Sequence, residues 1–430
     1  MRELRRPVTR LMVVVALSLV CAAAGLAQAT ASFPVPTAAA GVAGIVLGPD
    51  GSFWFTEGDV HKIAKIDATG AVTEYPVTTG DGPYLITNGP DGNLWFTQTG
   101  YVGRITPAGS VTQFATTSGI TGWAIVTGPD GNLWFTAANA GMIGQVTPSG
   151  VFTPFPVPGP STGLAVGSDG NLWFAESPFN KIGRMTVSGT VTEFPAAANS
   201  GPYSITSGSD GRLWFTEISG NAIGAITTDG VITEYPIPTA SSLPVGITTT
   251  PTGTVWFTER NGNNIGKISS NGSITEYAVT PANSGLTYIA GAANGSVWFT
   301  EYSANAIGKY PGGGSCTSGP TTLCLSDNRF SVTASWQKSD GTSGDGKQVG
   351  LTSDSGYFWF FDSANTELVV KVLNGCGLNN RYWVFAAGLT NVGVDMTVTD
   401  TLTGTAVPYT NSVDTPFAPI QDTAAFATCP

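Results

Sequence analysis

Charge is scarce in this chain of 430 residues. Only 11% of the residues are Asp, Glu, Lys or Arg, less than half of the roughly 25% usual in soluble proteins. There is one histidine, His61. A lone imidazole without partners makes neither a catalytic triad nor a metal site. The chain has no Cys-x-x-Cys pair and no glycine-rich phosphate loop. After residue 29, no stretch repeats apolar residues at i, i+3 and i+4, which excludes helices as the main element. No later run is apolar enough for long enough to span a bilayer. Glycine and proline are plentiful instead, at 56 and 28. Short runs of Val, Ile, Thr and aromatics lie between them, the composition of strands and tight turns.

Residues 1–29 read as a secretory signal peptide. Arg2, Arg5, Arg6 and Arg10 precede the 15-residue apolar run LMVVVALSLVCAAAG, and Ala27-Gln28-Ala29 is a small-x-small cleavage site. The chain is therefore expected to be secreted. Removing four arginines and Glu3 from 18 basic and 29 acidic residues leaves 14 against 28. That surplus of acid argues against nucleic acid or an anionic membrane as partners. Four cysteines remain, Cys316, Cys324, Cys376 and Cys429, all in the last 115 residues. Two disulfides are expected, with all three connectivities open.

The stretch GPDGNLWFT stands at 89–97 and again at 128–136. It belongs to a sevenfold series marked by Trp54, Trp95, Trp134, Trp173, Trp214, Trp256 and Trp298, spaced 39 to 42 residues apart. Each copy has one grammar. An apolar strand (YLITNG, 84–89) leads through a Pro-Asp-Gly turn to a second strand (NLWFT). A variable loop follows, then a third strand (IGQVT, 143–147), a second glycine turn and a fourth strand (GVITEYP, 230–236). Four strands per period of about 40 make a propeller blade. The seventh copy stops after IGKY at 307–310, and ASFPVPTA at 31–38 matches TEYPIPTA at 233–240. The N-terminal strand is thus expected to complete the last blade. The tryptophans are expected to pack between blades.

The loops after strands two and four share one face, where a rigid scaffold builds sites. The second strands end in Glu57, Gln98, Ala137, Glu176, Glu217, Glu259 and Glu301. Sevenfold symmetry is expected to set the five glutamates around the central channel. There they would repel one another and call for Mg²⁺ or Ca²⁺. The facing positions of the first strands are Ala43, Tyr84, Trp123, Thr162, Tyr203, Val245 and Thr287. Tyr84, Trp123 and Tyr203 form an aromatic rim above this acidic ring, suited to a partly apolar ligand with polar or cationic groups. His61 replaces the asparagine of other copies (Asn180, Asn221) and is expected to be a tolerated surface substitution.

These repeats, with GPDGNLWFT at 89–97, NKIGRMT at 180–186 and TEYPIP at 233–238, resemble those of the virginiamycin B lyase (streptogramin lyase) family over roughly residues 32–310. The resemblance implies a seven-bladed propeller. It also implies a carbon–oxygen lyase that opens a cyclic depsipeptide by elimination, using Mg²⁺, a base histidine and glutamates at the channel mouth. Of those family positions Glu301 is present. The metal-binding glutamate falls on Gly285, the base histidine on Thr287 and a second histidine on Val245. An elimination needs a group to take the α-proton, and neither Thr287 nor Val245 can.

The reading is therefore all-β: a seven-bladed propeller over 30–310, a Gly/Ser linker at 311–315 and a β-sandwich over 316–430. The sandwich rests on strands such as FSVTASW, GYFWFFD, ELVVKVL, RYWVFAAGL and VDMTVTDT. The expected function is monomeric, metal-assisted binding of a small or peptide-like ligand, with Tyr84, Trp123, Tyr203 and Thr287 as contacts and no organic cofactor. One alternative is a lyase whose base has moved to Glu259 or Glu301. The other is a non-catalytic protein that recognises a cell-surface component.

Overall fold

The computed structural model describes residues 30–310, 316 and 318–428, apart from 118, 252, 293, 294, 327, 328, 353, 380 and 402, and without the side chains of Cys376 and Gly377. The expected signal peptide, the expected linker at 311–315, Cys429 and the side chain of Cys376 lie outside the described residues.

Seven four-stranded antiparallel sheets follow one another along the chain. Blade 3 has the pattern of the others: Gly122–Thr127, Leu133–Ala137, Met142–Val146 and Phe152–Pro156, paired in chain order. The last sheet takes Leu286–Gly291, Val297–Glu301 and Ala306–Tyr310 from the end of the series. Its outer strand is Ala31–Pro34, paired antiparallel with Ala306–Tyr310. The ring of a seven-bladed β-propeller is closed by the N-terminal strand, as the sequence leads one to expect.

The core is divided among the blade interfaces. Each second-strand tryptophan is at most 3% exposed and packs against apolar residues of the next blade. Trp54, for example, packs with Ile86, Leu94, Phe96 and Ile105, and Trp298 with Val42, Ile45 and Phe55 across the closure. The indole also stacks on the fourth-strand aromatic of its own blade, as Trp95 does on Phe114 at 5.3 Å. In five blades the turn aspartate accepts its N–H, Asp91 from Trp95 at 3.0 Å and Asp130 from Trp134 at 3.0 Å. A third-strand cation lies over the ring in most blades, such as Arg104 over Trp95. Six blades carry glycine in the third strand and blade 1 carries Ala64: a Cβ at Gly103 would come within 2.1 Å of the Phe96 ring. The small residue lets the second-strand phenylalanine lie flat on the neighbouring strand.

The C-terminal residues form two five-stranded sheets. One comprises Thr322–Leu325, Phe330–Gln337, Ser343–Asp345, Gly393–Asp400 and Thr405–Asn411. The other comprises Lys347–Thr352, Ser355–Trp359, Leu368–Asn374, Tyr382–Gly388 and Ile420–Phe426. Alternate residues of both meet in one hydrophobic core that includes Phe330, Val332, Phe358, Val370, Val384 and Met396. Within it Arg329 is paired with Asp400 at 2.8 Å and donates to the Tyr382 hydroxyl at 2.9 Å. Cys316 and Cys324 form a disulfide. No helix among the described residues is long and apolar enough to cross a membrane.

Removing one interface indole tests this division of the core. Trp134→Ala is expected to lower unfolding free energy by about 3–5 kcal/mol in a denaturant titration. Asp130→Ala should cost about 1–3 kcal/mol, because it leaves a buried N–H without its acceptor.

Candidate functional site at the channel mouth

The first strands lead into the channel and are irregular where they reach its mouth. In blades 1, 3, 5, 6 and 7 the register with the second strand shifts, between Gly122 and Ile125 in blade 3 and between Pro202 and Ile205 in blade 5. Such bulges re-aim side chains. Trp123 and Tyr203 lie within them. The backbone there is pinned by the threonine of the preceding blade's WFT. Thr97 donates to the carbonyl of Trp123 at 2.7 Å, Thr216 to Val245 at 3.0 Å, and Thr56 to Tyr84 at 2.7 Å. The repeated threonine therefore holds the next blade's mouth residue in place.

Three of the rim residues read from the sequence are half-buried and face the mouth: Tyr84, Trp123 and Tyr203. Tyr84 and Trp123 rings lie 5.5 Å apart. The fourth, Thr287, is not available to a ligand. It is buried, with its hydroxyl on Thr300 Oγ1 at 2.6 Å and its carbonyl accepting from Thr258. Its neighbour Tyr288 takes the place instead. At the equivalent position blades 1–6 carry Gly44, Leu85, Ala124, Gly163, Ser204 and Gly246, the first five of which line a narrow cavity of about 120 Å³. Tyr288 is the aromatic exception. Its hydroxyl is shielded from solvent, with Tyr203, Trp123 and Arg260 as its polar neighbours. Burial pushes the hydroxyls of Tyr288 and Tyr203 above 10, so neither serves as a base near neutral pH. Arg260 is exposed, lies over the ring of Tyr302 at 5.7 Å, and acts on both tyrosines. Tyr302 in turn donates to Asp59. Tyr288 and Arg260 escape a reading by position because each sits one residue beyond the position compared. The signal was a lone aromatic side chain in a ring otherwise made of Gly, Ala, Ser and Leu.

The glutamates are not where symmetry suggested. Glu57, Glu176, Glu217, Glu259 and Glu301 are all buried, at 0–1% exposure. Four have their acidic neighbour within their own blade, on the fourth strand: Glu74, Glu193, Glu234 and Glu276. The fourth-strand partners accept hydrogen bonds from the preceding blade. Glu74 accepts from the amide of Thr37 at 3.0 Å, Glu234 from Ala197 at 3.1 Å and Glu276 from Thr239 at 3.0 Å. Lys62 and Lys181 add ion pairs to Glu74 and Glu193. A neighbouring carboxylate disfavours ionisation of the buried inner one. Burial first, and the fourth-strand carboxylate second, push Glu57, Glu176 and Glu217 up to about 7 and Glu259 to about 8. Burial alone raises Glu301 to about 7, while Ser32 donates to it. Blade 2 has a neutral version, Gln113 donating to Gln98 at 2.6 Å.

This arrangement corrects the expected acidic ring. Among the described residues, no three of His, Cys, Asp and Glu come together as metal ligands. Nor does the position implied for a metal-binding glutamate admit one. Gly285 has φ +67°, and a Cβ there would lie 2.2 Å from Ser303 Oγ. The residues present do not fit the Mg²⁺ site that the resemblance implies. Glu259 and Glu301, the displaced-base candidates, are sealed beneath the loops and cannot touch a ligand at the mouth. His61 sits at φ 55°, a left-handed position that Asn180, Asn221, Asn263 and Asn305 hold in other blades. It is exposed and has no role at the site.

The buried carboxyls give stability a pH dependence of definite sign. They titrate above their ordinary 4.5, so the folded chain holds more protons than the unfolded chain between about pH 4.5 and 8. Their contribution is complete below that window and is lost as pH rises through 7 to 8. The turn aspartates act in the other direction. Burial pushes Asp91 up, but hydrogen bonds from Trp95 and Asn93 outweigh it and hold the carboxyl below 3.8, a contribution lost in acid. The melting temperature is therefore expected to peak near pH 5 and fall toward pH 8. The double substitution Glu259→Gln and Glu276→Gln, which copies blade 2, should flatten that fall. A melting temperature constant from pH 5 to 8 would contradict the paired-carboxyl description.

Comparison with known proteins agrees with the fold and the repeat. The family model described as the virginiamycin B lyase family matches residues 20–195 and 123–320. A streptogramin B lyase structure is 35% identical, covering 65% of this chain and 96% of its own, with a TM-score of 0.62. A catalytically inactive variant of the virginiamycin B lyase from Staphylococcus aureus, with quinupristin, is also 35% identical. It covers 65% of this chain and 98% of its own, again with a TM-score of 0.62. The WD40 propeller domain of Doa1, 13% identical with a TM-score of 0.56, covering 66% of this chain and 96% of its own, shares the fold alone. No curated protein matches. With the family model spanning most of the chain and its propeller repeats closing into seven blades, this protein belongs to the virginiamycin B lyase family.

Proposed function

We propose that the chain is an exported binding protein built on a lyase-family propeller, which holds a cyclic depsipeptide-like ligand at the channel mouth and leaves it intact. The observation that carries this reading is the convergence of Trp123, Tyr203 and Tyr288 beside exposed Arg260. With Tyr84 tilted against Trp123, they present clustered rings and one cationic donor. Such a surface takes a ligand with apolar or aromatic groups and carbonyl or carboxylate acceptors. The exposed charge bordering the rim tyrosines belongs to a cation and not to a glutamate ring, so the preference for cationic groups expected from the sequence gives way to one for acceptors.

Chemistry lacks its base. Thr287 and Val245 cannot take a proton, both rim tyrosines retain theirs, and Glu259 and Glu301 are enclosed. Export is supported by the signal-like residues 1–29 and by the Cys316–Cys324 disulfide, a bond that persists in oxidising compartments.

Quinupristin, the molecule named with the staphylococcal relative, is the natural first probe. In calorimetric titration of residues 30–430, it is expected to bind without added metal. Trp123→Ala and Tyr203→Ala should each weaken binding at least tenfold, about 1.4 kcal/mol, without a matching fall in melting temperature. Absence of binding, or binding indifferent to both substitutions, contradicts the proposal.

A further inference from the structure

The C-terminal sheets carry a groove that the channel mouth does not account for. It lies on the sheet built around Phe330–Gln337, has a volume of about 600 Å³, and is lined by Ser335, Gln337, Asp345, Asp395, Thr410 and Asn411 among others. That volume is in the range of small-ligand sites, roughly 300–1,000 Å³. The pleat explains its polarity. Ala334 turns into the core while Ser335 and Gln337 turn outward. The strand register then aligns Asp345, Ser335, Asp395 and Thr410 in one row across four strands. Asp345, Asp395, Gln337 and Thr410 are exposed.

We infer that this groove binds a neutral saccharide. The two carboxylates are two strand spacings apart, about 10 Å at the backbone. One cation, which needs its oxygens within about 2.6 Å, is poorly served by that separation. A sugar ring with hydroxyls on opposite sides spans it, since two hydrogen bonds of about 2.8 Å flank a ring about 5 Å across. Carboxylates accept from hydroxyls, and the amide of Gln337 both donates and accepts. The row thus offers the mixed pattern that a polyol presents. Two carboxylates in a chain of net charge −11 disfavour an anionic glycan. Trp336 turns the other way, paired with buried Val394 and packed against the core between the two sheets.

Affinity electrophoresis of residues 30–430 through gels containing dextran, laminarin, mannan, arabinoxylan or hydroxyethylcellulose tests this. Retardation by at least one polysaccharide is expected, unchanged by EDTA. Asp345→Ala, Asp395→Ala and Gln337→Ala should each reduce it at least tenfold. Thr333→Ala, outward on the same sheet but outside the groove, should not alter it. The substituted residues are at the surface, so the variants should melt with the parent protein. Retardation by none of the five, retardation abolished by EDTA, or retardation indifferent to the three groove substitutions overturns the inference.

Discussion

The packing of one indole between two blades is the interaction on which the rest of the propeller depends. No blade encloses a core of its own. Each second-strand tryptophan is covered by the apolar residues of the following blade, stacked on its own fourth strand and, in five blades, anchored by the turn aspartate. Every interface thus needs both neighbours, and a ring with one open interface would leave an indole uncovered. Closure by Ala31–Pro34 answers that need: Phe33 stacks on Trp298 at 5.6 Å, as Phe114 does on Trp95. Seven equal interfaces fix the radius of the channel, and so the distances among side chains at its mouth.

The polar groups of the repeat serve the same assembly. In five blades the threonine after the Trp-Phe pair reaches the next blade's mouth carbonyl. The fourth-strand glutamate accepts an amide from the blade before it. The second-strand glutamate lies beside this staple, and burial, with the neighbouring carboxyl second, pushes it above the ordinary carboxylate range. Repetition of Glu57, Glu176, Glu217, Glu259 and Glu301 therefore reflects a repeated structural joint. What differs between blades is small and local: Trp123, Tyr203, Tyr288 and Arg260, set on bulges or just past a strand end, where a change alters the mouth without disturbing an interface.

Much of this could be read from the residues. Spacing of the tryptophans gives the blade count, the turn dipeptides give the strand order, and ASFP against TEYP gives the closure. These signals are local or periodic and survive without coordinates. The acidic pairs were not legible because they depend on which face of the strand each glutamate takes and on a partner 17 residues away across an intervening strand, Glu57 with Glu74 and Glu217 with Glu234. Even so, the chain holds a hint in its exceptions. Gln98 goes with Gln113, and Ala137 faces a blade whose corresponding fourth-strand residue is Pro154. Thr287 is enclosed by its bonds with Thr300 and Thr258, a difference from Trp123 and Tyr203 that its position in the repeat does not reveal. In the C-terminal sheets, short strands such as Ser343–Asp345 carry too little pattern to be placed, and the row from Asp345 to Thr410 arises only from their register.

The central claim is a lyase-family mouth that retains its binding surface and lacks a base. Incubation of residues 30–430 with quinupristin and Mg²⁺, followed by chromatography with mass detection, addresses it directly. Elimination opens a ring without changing mass, whereas hydrolysis adds one water. The account predicts the starting compound alone, recovered from protein shown to be folded. A shifted peak of equal mass, absent from a control without protein, would contradict it and place a working base among residues that the structure shows enclosed or unable to accept a proton.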